Sequence, residues 1–141
     1  NWKEKDWAIE KYFELFKNDF FKGYTIIFTG ISKDIPNREK FFKMIDDSSL
    51  NIFNLFDWGN LRHMIPIFNQ CKFFIGSDSG LMHLAASTNC KTFALFGPTN
   101  EIVYGPWGDH KVIKSLDYPA IDDPLNLPVE KVLNIIKKEI E

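Results

Sequence analysis

Lys72-Phe73-Phe74-Ile75-Gly76-Ser77-Asp78-Ser79-Gly80-Leu81-Met82-His83-Leu84-Ala85-Ala86 is the stretch from which the fold can be read. Its opening, Lys72 to Gly76, places apolar residues consecutively rather than alternately, as in a strand covered on both faces. Ser79 to Ser87 then reads as a short helix entered through a polar, glycine-containing run. A buried strand turning directly into a helix is the repeating unit of a parallel sheet.

The same alternation extends to both sides. Upstream, Ile9, Tyr12, Phe13, Phe16 and Phe20 recur at three- and four-residue steps, an amphipathic helix that Gly23 ends. Tyr24 to Thr29 is β-branched and aromatic, hence a strand closed by Gly30. Asn37 to Asp47 is a second helix, Asn51 to Phe56 a second strand, and Leu61 to Cys71 a third helix, which Pro66 should kink or shorten. Downstream, Lys91 to Phe96 is a strand, Gly97 to Gly108 a Gly/Pro-rich loop and Lys111 to Lys114 a short strand. The final helix, Val129 to Ile140, is started by Pro128. Strands separated by helix-length segments predict an α/β fold with a doubly wound, Rossmann-like parallel sheet, one domain over residues 1–141.

Composition narrows the function. Hydrophobic residues make up 45% of the 141 and aromatics 16%, with fourteen Phe, enough for a sizeable core. The net charge of -2 and the lack of any Lys/Arg cluster speak against nucleic acid as a partner, since that needs a basic face. No apolar run approaches the roughly 20 residues that cross a bilayer. The first residues, Asn1 to Asp6, lack the pattern of a signal peptide, and a start without Met suggests a piece of a longer protein. The two cysteines, Cys71 and Cys90, suit a reducing compartment and read as small buried hydrophobes.

In a parallel α/β sheet the ligand crevice lies beyond the carboxyl ends of the strands. The richest of those ends is Gly76-Ser77-Asp78-Ser79-Gly80. Ser79 and Gly80 fall where a helix leaves backbone N–H groups without intrahelical partners and its dipole is positive, which suits a phosphate. His83, one turn later on the same face, could donate to a phosphate or a sugar hydroxyl. Asp78 would repel a diphosphate, so it should accept from sugar hydroxyls. Gly97-Pro98-Thr99, after the next strand, can bring a hydroxyl to the same crevice. A capped structural helix explains the segment equally well, with Asp78 or Ser79 as N-cap and His83 a satisfied core residue. The plain-turn reading is also open for Gly97 to Thr99. His63, His83 and His110 have no metal-ligand spacing, and no Gly-x-Gly-x-x-Gly, Walker loop or nucleophile elbow is present.

Taken in order, these pieces resemble the C-terminal domain of glycosyltransferase family 9, the bacterial lipopolysaccharide heptosyltransferases. The family signature, Asp-[Ser/Thr]-Gly-x-x-His followed by Ala-Ala and then a strand ending in [Phe/Tyr]-Gly-Pro-Thr, reads here as Asp78 to Ala86 and Phe96 to Thr99. Gly105-Pro106 follows, and the Lys-x-Trp that opens the domain is Lys5-Asp6-Trp7. The likeness runs over residues 3 to 115. It implies the C-terminal half of a two-domain GT-B enzyme performing inverting transfer from a nucleotide sugar, ADP-heptose, without an essential metal or other cofactor. It implies donor-binding roles for Lys5, Asp34, Asp78, Ser79, Gly80, His83 and Thr99, with Lys5 on the phosphate side and Asp34 by the adenosine. No catalytic residue is expected in this chain, because the family's base, an Asp, belongs to the N-terminal, acceptor-binding domain. The chain alone is then expected to be inactive. The implied acceptor is a lipid-linked oligosaccharide reached through that other domain, and the implied location is cytoplasmic, peripheral to the inner membrane. Another nucleotide sugar, or a degenerate interaction module, are the alternatives. Two features depart from the family: Phe56-Asp57-Trp58-Gly59-Asn60 replaces a usual Gly-Lys-[Thr/Ser], and Pro66 interrupts a helix.

Overall fold

A computed structural model describes residues 5–35, 37–115 and 125–141. Strands β1 (Ile26–Gly30), β2 (Ile52–Phe56), β3 (Phe73–Ser77), β4 (Lys91–Phe96) and β5 (His110–Lys114) alternate with helices. The helices are α1 (Ile9–Phe16), α2 (Arg38–Asp46), α3 (Leu61–Phe68), α4 (Gly80–Ala86), α5 (Glu101–Tyr104) and α6 (Val129–Ile140). All strand pairings are parallel. β1 pairs with β2 from Ile26–Ile52 to Gly30–Phe56, β3 with β4 from Phe73–Lys91 to Ser77–Leu95, and β4 with β5 from Thr92–His110 to Phe96–Lys114.

The expected parallel α/β architecture is therefore present, with its strands divided between a two-stranded and a three-stranded sheet. Phe73 of β3 rests against Phe21 and Tyr24, which lie ahead of β1, with ring centroids 6.2 and 5.9 Å apart. Elsewhere a cleft of about 1720 Å³ separates β1 from β3.

β4 lies at the centre of the larger sheet, and its period-two alternation feeds two cores. Phe93 and Leu95 join Trp7, Leu15, Leu127, Val132 and Ile136, the face covered by α1 and α6. Ala94 and Phe96 join Met82 on the opposite face, next to Met64, Phe68 and Ala85 of α3 and α4. Helices on both faces explain why β3 and β4 are apolar without alternation. Both cysteines are free thiols, Cys90 buried, and burial pushes its thiol up to about 12. Among the described residues no helix is long and apolar enough to cross a membrane.

Several local boundaries differ from expectation. α1 stops at Phe16 instead of running to Phe20, because Asn18 accepts the Phe20 N–H and starts a separate 3₁₀ turn, Asp19–Phe21. The helix expected over Leu61 to Cys71 passes through Pro66 and ends at Phe68. Proline has no N–H to give the Arg62 carbonyl in the turn before it, yet the turn after it still closes, with the Asn69 N–H donating to the Ile65 carbonyl at 3.0 Å. The segment from Gly97 to Gly108, expected as loop throughout, holds the single turn α5, whose start is capped by Asn100 accepting the Ile102 N–H at 2.9 Å. At Gly108, a φ of +90° and the nearby Ala86 carbonyl oxygen leave no room for a side chain.

Phe93 is fully buried at the centre of the larger sheet. Phe93→Ala is expected to lower unfolding free energy by about 3–5 kcal/mol, the usual cost of a buried Phe truncation, read as a shifted midpoint in denaturant unfolding.

Candidate functional site

Asp78 follows the last residue of β3, with its side chain only 9% exposed. A carboxylate that far from water needs donors, and the fold supplies them from two distant segments. Lys5, ahead of α1, brings its Nζ to 2.8 Å from Asp78 Oδ2. Thr99, beyond β4 and buried, donates its hydroxyl to the same oxygen at 2.9 Å. His83, on α4, places Nε2 3.9 Å from Oδ1, outside direct hydrogen-bond range, with nearly half its side chain exposed. Register explains the meeting, since β3 and β4 pair in parallel up to Ser77 opposite Leu95, so both chains leave the sheet at the same edge.

Ser79 is the N-cap of α4, with its Oγ accepting the Met82 N–H at 3.3 Å. The capped-helix reading is correct for this residue. The cap leaves the Gly80 and Leu81 N–H groups as those without an intrahelical acceptor. The first turn is open: Ser79 and Gly80 are exposed, and a Cβ built at Gly80 would meet no atom within 4 Å. His83 is a surface residue, not a satisfied core histidine.

Asp34 lies apart from this group. It ends the 3₁₀ turn Ser32–Asp34 after β1, exposed, and its charge acts on Asp6. Asp6, Asp34, Ser79 and Gly80 line the cleft between β1 and β3. Burial first, and then the negative charge of Asp34, push the Asp6 carboxyl above the ordinary carboxylate range.

Composition and spacing gave no sign of Asp57. It stands in the left-handed region at φ 58°, its N–H donates to the Gly30 carbonyl, and its Oδ1 accepts the Ser32 N–H at 2.9 Å. Hydrogen bonding by Ser32, through its side chain first and then its N–H, holds the Asp57 carboxyl below its usual range. Gly59 follows at φ 62°, and Asn60 and His63 form a reciprocal cap on α3. The Phe56-Asp57-Trp58-Gly59-Asn60 stretch thus ties the ends of β1 and β2 together. A short polar residue ahead of a glycine was the available signal, since Asp tolerates a left-handed turn.

A lysine ahead of the first helix, a carboxylate after a strand, a helical glycine and histidine and a threonine past the next strand are thus brought to one sheet edge. Residues 1–125 match the sequence pattern of glycosyltransferase family 9 (heptosyltransferase). The chain belongs to this family. Relatives in family 9 include lipooligosaccharide heptosyltransferase 2 of Haemophilus influenzae, 30% identical over 110 residues, covering 77% of this chain and 32% of that protein. Lipopolysaccharide heptosyltransferase 2 of Escherichia coli K12 is 30% identical over 97 residues, 68% of this chain and 28% of the relative. The chain spans about a third of the length of these curated relatives. In fold it is similar to E. coli ADP-heptose LPS heptosyltransferase II, with TM-score 0.80 and 24% identity over 98% of this chain and 43% of that one. It is also similar to E. coli heptosyltransferase WaaC with ADP, with TM-score 0.77 and 21% identity over 96% of this chain and 40% of that one. Those solved chains share a GT-B fold, of which this chain has a Rossmann-like part.

The raised carboxyl of Asp6 has a consequence for stability. A carboxyl whose folded pKa exceeds its unfolded value opposes folding once ionised, and the opposition vanishes as pH falls below the unfolded value of 3.8. Asp6→Asn is expected to raise the thermal midpoint at pH 7, with the gain shrinking to nothing by about pH 3; calorimetric scans across that range measure it.

Proposed function

We propose that this chain binds the diphosphate end of a nucleotide-activated sugar and is the donor-binding part of an inverting glycosyltransferase of the heptosyltransferase type. The observation that carries the reading is the convergence of Lys5, Thr99 and His83 on Asp78, beside the open first turn of α4. Family membership supplies the reaction class, and the solved neighbour named as an ADP-heptose LPS heptosyltransferase supplies ADP-heptose as the donor to test first.

The roles follow from charge. The Lys5 ammonium and the Gly80 and Leu81 amides favour the negative charge that grows on the departing nucleoside diphosphate, work that a divalent cation does elsewhere. Asp78 keeps Lys5 and Thr99 in place with Oδ2 and turns Oδ1 toward His83, so Oδ1 is the acceptor for a sugar hydroxyl. His83 donates to a phosphate oxygen or to the sugar. Asp34, at the end of β1, accepts from the hydroxyls at the nucleoside end. In the transfer itself an acceptor hydroxyl attacks the anomeric carbon from the face opposite the diphosphate. The bond from that carbon to the phosphate oxygen breaks, and the hydroxyl proton goes to a base. On this reading the base and the site for a lipid-linked oligosaccharide acceptor come from a companion domain, and the whole enzyme works at the cytoplasmic side of the inner membrane.

Calorimetric titration of the folded chain with ADP and with UDP tests donor binding. Saturable heat with ADP at millimolar or lower concentration, and weaker heat with UDP, is expected. The reverse order would assign a different nucleotide sugar, and no heat with either would leave a non-catalytic interaction module. In the full-length enzyme, His83→Ala is expected to lower kcat/KM for sugar transfer by at least tenfold, the scale of a lost hydrogen bond to a charged group. Transfer by the unmodified enzyme should persist in excess EDTA. Unchanged kinetics in the variant would remove His83 from the site.

A further inference from the structure

Lys5 can serve the site only if the chain ahead of α1 is held against the sheet edge, and the side chains that hold it are not those that face the ligand. The Trp7 backbone N–H donates to the Ser77 hydroxyl oxygen at 3.3 Å, and Ser77 is the last residue of β3, next to Asp78. The Tyr12 phenol, on α1, lies near the same hydroxyl. The indole of Trp7 is 2% exposed, meets the Tyr12 ring edge-on at 4.8 Å, and donates its N–H to the Leu127 carbonyl at 2.9 Å. Lys11, one turn into α1, donates to that carbonyl too, at 3.2 Å. The segment is thus fastened two residues after Lys5, once to the sheet through Ser77 and once to the chain before α6 through Leu127.

We infer that Ser77 is a positioning residue for the donor site: its hydroxyl registers the Lys5–Trp7 segment against the end of β3, so that Lys5 reaches Asp78 and the diphosphate. The inference rests on the function proposed above. The geometry makes the link short. Ser77 ends β3 and Asp78 follows it, Lys5 and Trp7 lie two residues apart on the opposing segment, and the two contacts, at 3.3 and 2.8 Å, form two rungs between the same pieces of chain. Side chains alternate along a strand, so Ser77 points inward toward Trp7 and Tyr12 while Asp78 points to the crevice. Without the inner rung, the outer one depends on a long, flexible lysine side chain.

The test is a double-mutant cycle on ADP binding in the full-length protein, using Ser77→Ala, Lys5→Ala and the pair, with Ser77→Thr as the conservative variant. Lys5→Ala is expected to weaken ADP by about tenfold and Ser77→Ala by about fivefold, the scale of one hydrogen bond. The double variant should be no weaker than Lys5→Ala alone, because Ser77 acts through Lys5. Ser77→Thr, which keeps a hydroxyl, should restore binding to within about twofold. A purely structural serine would give additive losses and a matching fall in thermal midpoint, and that result would overturn the inference. If Lys5→Ala itself leaves ADP binding unchanged, the donor-site reading fails and the positioning role with it. If only Ser77→Ala is silent, the donor-site reading stands and this inference alone is lost.

Discussion

The Asp78 carboxylate is the point on which the arrangement depends. It is nearly buried, at the edge of a sheet, in a position suited to an anionic ligand. A lone carboxylate there would lose its hydration and repel the ligand as well. Lys5 removes both difficulties with one contact made across 73 residues of chain, and Thr99 supplies a second donor to the same oxygen. The pair is electrically close to neutral, so further charge at the site is set by the helix start and by His83. A buried pair of this kind is weak evidence for stability, because desolvation offsets much of its attraction. Its value here is geometric: it brings three segments of chain to one edge.

The sheet makes that geometry reproducible. β3 and β4 are parallel and in register to their ends, and β4 is buried along almost its whole length between two layers of helix. Residues just beyond such strands inherit the rigidity of the core without being part of it. Asp78 and Thr99 both occupy such positions. Glycines serve the same end where the backbone must turn or come close: Gly80 leaves the front of α4 clear, and Gly108 lets its loop pass the Ala86 carbonyl.

The sequence pattern disclosed the strands and helices well because both faces of the sheet are covered, which makes β3 and β4 apolar without a break. It disclosed Asp78, Ser79, Gly80, His83 and Thr99 as candidates because a ligand crevice can be located from strand ends alone. Lys5 needed the family resemblance, since nothing in Asn1 to Asp6 shows that its ammonium reaches a residue so distant in the chain. Periodicity continued through Phe20 and concealed the break at Asn18, where a side chain competes with the helix for a backbone N–H. Asn100 hid a helical turn in a stretch that Gly and Pro marked as loop. Asp57 stayed invisible because its role lies in a backbone angle and in a bond to Ser32, neither of which has a periodic signature.

The distribution of charge along the cleft bears on how a donor would lie in it. A nucleoside diphosphate carries its negative charge at one end and hydroxyl donors on the ribose at the other. Beyond β3 the cleft is lined by Ser79 and Gly80 at the open start of α4, while beyond β1 it presents the exposed Asp34, with Asp6 also lining it. A ligand placed with its phosphates at the first end meets open backbone amides there and acceptors for its hydroxyls at the second. Reversed, it would set a diphosphate against carboxylates. Like-charge contact of that kind costs several kcal/mol, which exceeds what any one hydrogen bond returns. On the proposed function, the polarity of the cleft favours the orientation of the donor that sets its diphosphate at the start of α4.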